Sequence, residues 1–242
     1  MKRLVKFSKD FLLYAPVTLI FQPLTKFFLF LSYFNKLILW IIKNKKSFLS
    51  SDYYSPVRNY KKRYELYAFV NNHYQQADQP LVYLEFGVAA GASFQWWMSN
   101  NNNKDSLFFG FDTFEGLPEK WGGFYEKGSM RFDMPVLEDA RGTFIKGLFQ
   151  DSLPGFIREH EQILNARVRK VILMDADLYS ATIFTLSQLF PMLHKGDIIM
   201  FDEFSVALHE FKAFLEFTGN FYIQLKPVVA VNNFYQVAFE VV

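Results

Sequence analysis

The sequence predicts an α/β fold: a mostly parallel sheet with helices on both faces, closed by an antiparallel C-terminal hairpin and preceded by a helical apolar segment. Three observations carry this. From Leu81 onward, short apolar runs alternate with stretches of helical spacing, the pattern of βα units. The last two runs are joined directly at Asn232-Asn233, a hairpin signal. Residues 1–46 are dominated by Phe, Leu and Ile, with lysines at both ends.

The 242 residues suffice for one α/β domain and an appendage. Hydrophobic residues make up 51%, so a large core is available, and much of the 19% aromatic share, with 30 Phe, falls outside that core. There is no cysteine. Disulfides, thiolate metal sites and thiol nucleophiles are therefore excluded, and the absence fits a reducing compartment. The formal net charge of +2 hides an asymmetry. Residues 1–60 hold ten Lys/Arg against two acids, and residues 61–242 hold sixteen against twenty-two. A basic, aromatic head on an acidic body implies two jobs, the head being suited to an anionic surface. The acidic body offers no phosphate track, so nucleic acid is not an expected partner.

Phe11–Ile42 reads FLLYAPVTLIFQPLTKFFLFLSYFNKLILWII. Lys2, Arg3, Lys6 and Lys9 precede it; Lys43, Lys45 and Lys46 follow. A spanning helix needs roughly 20 uninterrupted apolar residues, whereas Pro16, Pro23, Lys26, Asn35 and Lys36 break this run. No small-x-small cleavage site follows it, so a secretory signal is a poor fit. The expectation for residues 1–57 is a set of short helices serving as a membrane-interface element, a lid or a dimer contact.

Ser50–Tyr60 is polar with one Pro and reads as a linker. The domain proper is assigned to residues 58–242. Lys61–Gln76 has helical spacing in Tyr64, Leu66, Tyr67, Phe69 and Val70. The expected strands are Leu81–Phe86, Leu107–Phe111, Thr143–Leu148, Val168–Met174, Asp197–Phe201 and the terminal pair Phe221–Val231 and Phe234–Val242. The expected helices between them are Ala92–Asn100, Ser152–Leu164, Ser180–Leu193 and Val206–Phe217. Ligands bind such sheets at the C-terminal ends of the strands, near the switch point. The residues at those ends are the ones to read.

Tyr83–Ser93, YLEFGVAAGAS, runs from a strand through Gly87-x-x-x-Gly91 into a helix. The glycines let backbone pass close to a ligand, and the helix N-terminus presents free N–H groups. A dinucleotide fingerprint needs G-x-G-x-x-G. Ala89 stands in place of its second glycine, which suits a ligand without phosphates. Asp112 ends the next strand, 21 positions after Gly91, where an acid accepts hydrogen bonds from both ribose hydroxyls. The alternative is a turn or cap aspartate. Asp175 and Asp177 follow one buried strand, Asp202 and Glu203 another. Carboxylates directly after apolar strands need partners, and several at one sheet edge repel unless a proton or cation sits among them. Mg²⁺, held by oxygen ligands and water, fits that arrangement. Asp177 is instead expected to cap the helix that follows it.

Four blocks in this order, EFGVAAGAS, FDTFEGLPE, DADLYSAT and FDEF, resemble the class I S-adenosylmethionine-dependent methyltransferases of the macrocin O-methyltransferase family. The similarity runs from about Arg58 to the C-terminus. FDTFEGLP is its most specific block and the Gly loop its least. The resemblance implies a Rossmann-like class I methyltransferase sheet whose last strand runs antiparallel. It implies an enzyme that methylates a hydroxyl, of a sugar or glycoconjugate, using S-adenosylmethionine and Mg²⁺. Residue by residue, it implies that Glu85, Gly87 and Gly91 cradle the methionine half of the cofactor, with Ser93 adding a hydroxyl contact. Asp112 would hold the ribose and Asp151 would sit near the adenine. Asp175, Asp202 and Glu203 would bind the metal. The 27-position spacing from Asp175 to Asp202 agrees with the family pattern. Glu203 departs from it, since the sugar-modifying members usually carry a second Asp there.

Such a transfer is direct and in line, so orientation matters above all. The hydroxyl has to lose its proton, and Asp175 and His209 are the candidate catalytic bases. His209 lies seven positions after Asp202, on the next helix. Thr113–Arg141, rich in Gly, Trp and Phe, is the expected lid, with Trp121, Phe124, Tyr125 and Arg131 as its sugar contacts. One competing reading is a nicotinamide-dependent oxidoreductase, disfavoured by the loop and the hairpin. The other is a non-catalytic, membrane-attached scaffold of the same fold, disfavoured by the intact Asp112, Asp175 and Asp202. The expected setting is cytoplasmic, with residues 1–46 touching the inner face of the membrane or a second subunit of a homodimer.

Overall fold

The structure, a computed structural model, describes residues 1–15 and 17–242. Pro16, one of the expected helix interruptions, lies outside them. The strands are β1 (Ser50–Ser51), β2 (Leu81–Phe86), β3 (Leu107–Asp112), β4 (Gly142–Lys146), β5 (Arg169–Met174), β6 (Ile198–Phe201), β7 (Leu225–Val231) and β8 (Gln236–Val241). They form one sheet in the order β1-β7-β8-β6-β5-β2-β3-β4. Neighbours run parallel except at β6–β8 and β7–β8, where β8 is antiparallel. β2, β5 and β6 are nearly unbroken apolar runs because both their faces are covered.

The helices are α1 (Lys2–Tyr14), α2 (Gln22–Asn44), α3 (Arg63–His73), α4 (Ala92–Ser99), α5 (Phe149–Glu159), α6 (Glu161–Leu164), α7 (Tyr179–Leu189) and α8 (Glu210–Asn220). On one face, α3 and α4 bring Leu66, Tyr67, Val70, Phe94 and Trp97 against Tyr83, Phe108 and Val171. On the other, α5, α7 and α8 bring Leu153, Phe156, Leu186, Phe214 and Phe217 against Phe86, Phe111, Ile172 and Phe239. Strand order reverses at β2, with β3 and β4 on one side and β5 and β6 on the other. The loops after β2 and β5 diverge there and leave a crevice at the strand ends. Gly87 is indispensable to it. Its φ is +100°, and an added Cβ would sit 1.8 Å from the carbonyl oxygen of Asp175.

From Leu81 on, the elements are of the types read from the sequence, with ends shifted by a few residues. The helix expected at Ser152 begins at Phe149 and breaks at His160. The one expected at Val206 begins at Glu210, because Val206 and His209 donate to turn carbonyls at Glu203 and Val206 instead. Asn232 and Asn233 form the hairpin turn with φ of 55° and 58°.

Two expectations are corrected. The presumed linker opens with β1, which pairs in parallel with β7 and covers that exposed edge. The N-terminal segment holds one uninterrupted helix of 23 residues, α2, where short helices were expected. Pro23 lies in its first turn, where a missing N–H has no helical acceptor to lose. Lys26 and Lys36 point to solvent without breaking it. Thr18–Asn44 is long and apolar enough to cross a membrane, at mean hydropathy 1.4. Its last turns are docked on the domain, however. Leu37 is buried, and the Tyr33 hydroxyl donates to Glu216 at 3.1 Å. The Trp40 ring lies 5.0 Å from Phe204 and 5.5 Å from Phe214. Truncating a Trp so placed costs roughly 3 kcal/mol, enough to hold this half of α2 in place.

Candidate active site

A cavity of about 270 Å³ opens in the crevice. From the β3–β4 side it is lined by Asp112, Leu148, Phe149 and Gln150, and from the loop after β2 by Gly87 and Ala89. From the β5–β6 side come Asp175, Asp177 and Glu203, joined by Arg63 from the start of α3. Gly116, Leu117 and Met130 of the Thr113–Arg141 segment also line it.

Asp112 is held by backbone. Its Oδ2 accepts from the Val88 and Ala89 N–H groups, both at 2.8 Å, and its Oδ1 from the Phe114 N–H at 2.7 Å. An ionised carboxylate offers about four acceptor sites. One remains for a ligand, so a ribose would be met through one hydroxyl rather than two. The cap reading and the ligand reading of Asp112 are thus compatible: the same side chain shapes the Gly loop and faces the cavity.

The other expected cofactor residues divide between cavity wall and support. Gly87 lines the cavity. Gly91 begins α4 in the left-handed region, at φ +78°. Glu85 and Ser93 are buried beneath the loop. Glu85 Oε2 accepts from the Tyr83 hydroxyl at 2.6 Å, and burial pushes its carboxyl up to about 8. The Ser93 and Tyr67 hydroxyls are 3.2 Å apart. Asp151 is exposed in the first turn of α5, one residue beyond the lining Gln150.

The acidic wall is crowded. Carboxylate oxygens of Asp175, Asp177 and Glu203 lie within 4.8 Å of one another. Asp202, fully buried, turns instead to Arg63, whose Nη2 is 2.7 Å from its Oδ2; Arg63 Nη1 is 3.5 Å from Asp175 Oδ2. Asp177 does not cap the following helix. α7 has Leu178 at its N-cap and no side-chain cap, and a φ of +57° at Asp177 turns that residue toward the cavity. Burial, with Asp202 and Asp112 nearby, pushes its carboxyl up to about 7. Burial followed by mutual repulsion also raises Asp175 and Glu203 well above the carboxylate range. Glu203 donates its N–H to Glu210 Oε2 at 2.9 Å, while Glu203 Oε2 and Glu210 Oε1 have no partner. Orphaned buried oxygens around three converging carboxylates are the donor set of a hard dication. These residues therefore fit Mg²⁺, with Asp177 in the converging set and Asp202 neutralised by Arg63.

His209 stands just before α8, outside the cavity lining. Its Nδ1 accepts from the Tyr179 N–H at 3.3 Å. That bond assigns the proton of the neutral ring to Nε2, so the ring offers a donor, not a base, to its surroundings. Burial lowers its pKa. The Thr113–Arg141 segment is tied to α7 by the Ser180 hydroxyl, which donates to Glu119 at 2.7 Å. Trp121 stacks on Tyr125 at 5.0 Å, and Phe124 and Arg131 point to solvent. Leu117 and Met130 reach the cavity instead.

Arg63, Glu210 and Gln150 were not found by reading motifs. Arg63 lies 22 residues before Glu85, in a stretch whose helical spacing carries no ligand-binding motif. Glu210 did leave a signal: it is the one acid on a helical face otherwise made of Ala207, Phe211, Phe214 and Phe217.

With this geometry in view, residues 125–235 match the macrocin-O-methyltransferase family model. Three of the similar solved structures show the extent of the likeness. Calicheamicin methyltransferase CalS11 superposes with a TM-score of 0.59 at 20% identity, covering 74% of this chain and 79% of that one. The O-methyltransferase NovP gives 0.55 at 19% identity, covering 75% and 79%. The apo form of CalS11, a TDP-rhamnose 3'-O-methyltransferase of calicheamicin biosynthesis, gives 0.53 at 21% identity, covering 74% and 80%. At these identities the likeness establishes the fold. No curated protein sequence matches the chain.

Proposed function

We infer that this chain is a methyltransferase that transfers the methyl group of S-adenosylmethionine to a hydroxyl of a sugar or glycoconjugate, with Mg²⁺ assistance, a reading supported by the family match over residues 125–235 and by the shared fold. The observation that supports this most is the cavity itself. It joins a wall suited to a nucleoside, with Asp112 and Phe149, to a wall of carboxylates suited to a hydroxyl. One similar structure is a TDP-rhamnose 3'-O-methyltransferase, which favours a sugar acceptor.

S-adenosylmethionine supplies a sulfonium-bound methyl group whose positive charge vanishes as the methyl leaves. Asp112 receives a ribose hydroxyl at its free acceptor site, and Leu148 and Phe149 offer apolar surface to the adenine. Glu85, outside the cavity lining, would support from beneath the Gly loop that cradles the methionine half. Asp175, Asp177 and Glu203 would hold Mg²⁺, which would lower the pKa of an acceptor hydroxyl. Held ionised by a cation, Asp175 would be the base, its oxygen turned away from Arg63 taking the hydroxyl proton. Arg63 pairs with Asp202, whose pKa burial raises and the guanidinium lowers in part. Leu117 and Met130 add apolar lining to this cavity.

The test is transfer of label from methyl-labelled S-adenosylmethionine by the full chain. Small sugars, lipid-linked sugars and polysaccharide are offered as separate fractions. Label in an alkali-stable sugar ether is the expected result. Label appearing only in protein or nucleic acid would overturn the acceptor class.

A further inference from the structure

The N-terminal helices have no part in the site. At 3.6 residues per turn, Leu4, Val5, Phe7, Phe11, Leu12 and Tyr14 fall on one face of α1, and Lys2, Lys6 and Lys9 on the other. All are exposed except through one another. In the first half of α2, Leu24, Phe27, Phe28, Leu29, Phe30 and Leu31 are exposed on every side of the helix. Contact with the domain begins only at Tyr33. A helix apolar all round requires an apolar surround.

Length and charge identify that surround. The undocked stretch Gln22–Ser32 is about 16 Å long at ~1.5 Å per residue. That is half of the ~30 Å hydrocarbon core. It reaches into one leaflet and does not cross, because crossing would need the turns docked through Leu37 and Trp40. Five cations, Lys2, Arg3, Lys6, Lys9 and Lys26, face one acid, Asp10, in this region. A second copy would bring the same basic face against itself in an isologous contact; anionic headgroups complement it. We propose that α1 and the first half of α2 anchor the protein peripherally in one leaflet of an anionic phospholipid bilayer. α1 lies in the headgroup plane, and the start of α2 dips into the acyl region. The docked half of α2 ties this anchor to the domain, where Trp40 packs on Phe204.

The test is flotation of the full chain with vesicles of phosphatidylcholine alone and of phosphatidylcholine mixed with phosphatidylglycerol, at low salt. The protein is expected to float with the mixed vesicles and far less with the neutral ones. Replacing Lys2, Lys6 and Lys9 together by Gln should weaken partition roughly 100-fold. Phe27→Ser with Leu31→Ser should abolish flotation while leaving the thermal unfolding of the domain unchanged, since both side chains are exposed. Protein that stays in the soluble fraction with mixed vesicles overturns the proposal. So does equal flotation on both vesicle types. So does a dimer, seen by sedimentation, that Phe27→Ser with Leu31→Ser splits in a protein that never floats.

Discussion

The two ends of β5 and β6 treat buried charge in opposite ways. At their N-terminal end, Lys170 and Asp197 are almost fully buried and fully matched. Lys170 Nζ lies 3.0 Å from Asp197 Oδ2 and donates to the Leu164 carbonyl at 3.1 Å. Asp197 also accepts from the Lys170 and His194 N–H groups, at 2.9 and 2.7 Å. At the C-terminal end, Asp175, Asp177, Asp202 and Glu203 crowd together. The ion pairs they make among the described residues are both to Arg63. Each arrangement is costly to bury. The matched pair serves the fold and needs nothing more. The unmatched cluster is quiet only when it holds protons or a cation, and such places are where chemistry enters.

Substitutions at the two ends should therefore separate activity from stability. The largest effect is expected from Asp175→Asn. Initial rates of methyl transfer should fall by about 10²–10⁴-fold, while the melting temperature holds, because a buried carboxyl whose pKa is already raised is replaced by a neutral amide of the same shape. An undiminished rate would move the base elsewhere. Next comes Lys170→Met, which leaves Asp197 buried and unpaired. Urea unfolding should show a loss of roughly 3–5 kcal/mol, with the rate per folded molecule unchanged. Parallel losses in both variants would erase the distinction.

A smaller effect is expected from pH. The folded-state values of Glu85 and Asp177 are raised, to about 8 and about 7, from an unfolded range near 4. Between about pH 5 and 8 the folded state therefore binds more protons than the unfolded state, and stability falls as pH rises through that window. Thermal melts of metal-free protein should decline from pH 5 to pH 8. Added Mg²⁺ should raise the melting temperature at pH 8 and do little at pH 5. Arg63→Met should steepen the decline. A flat profile, indifferent to Mg²⁺, would mean that the cluster is compensated in some other way.

Local pattern and tertiary pairing account for what the sequence disclosed. The alternation of strands and helices, the Gly loop, Asp112 and the acids after β5 and β6 are local features, legible because each depends on a few neighbouring residues. The continuity of α2 was hidden because Pro23 looks the same in a first turn as in a break. The role of Asp177 rests on a single left-handed φ, which no neighbouring residue announces. Arg63 meets Asp202 across 139 positions, and only packing of α3 over the sheet brings them together.

The methyl-donor assignment is tested most directly by titration calorimetry of the full chain with S-adenosylmethionine and, separately, NADH. Saturable binding of S-adenosylmethionine and none of NADH is expected. Asp112→Ala should weaken binding by about tenfold or more, the loss of a hydrogen bond to a charged group together with the loop it shapes. No measurable binding of S-adenosylmethionine, or preferential binding of NADH, would contradict the assignment.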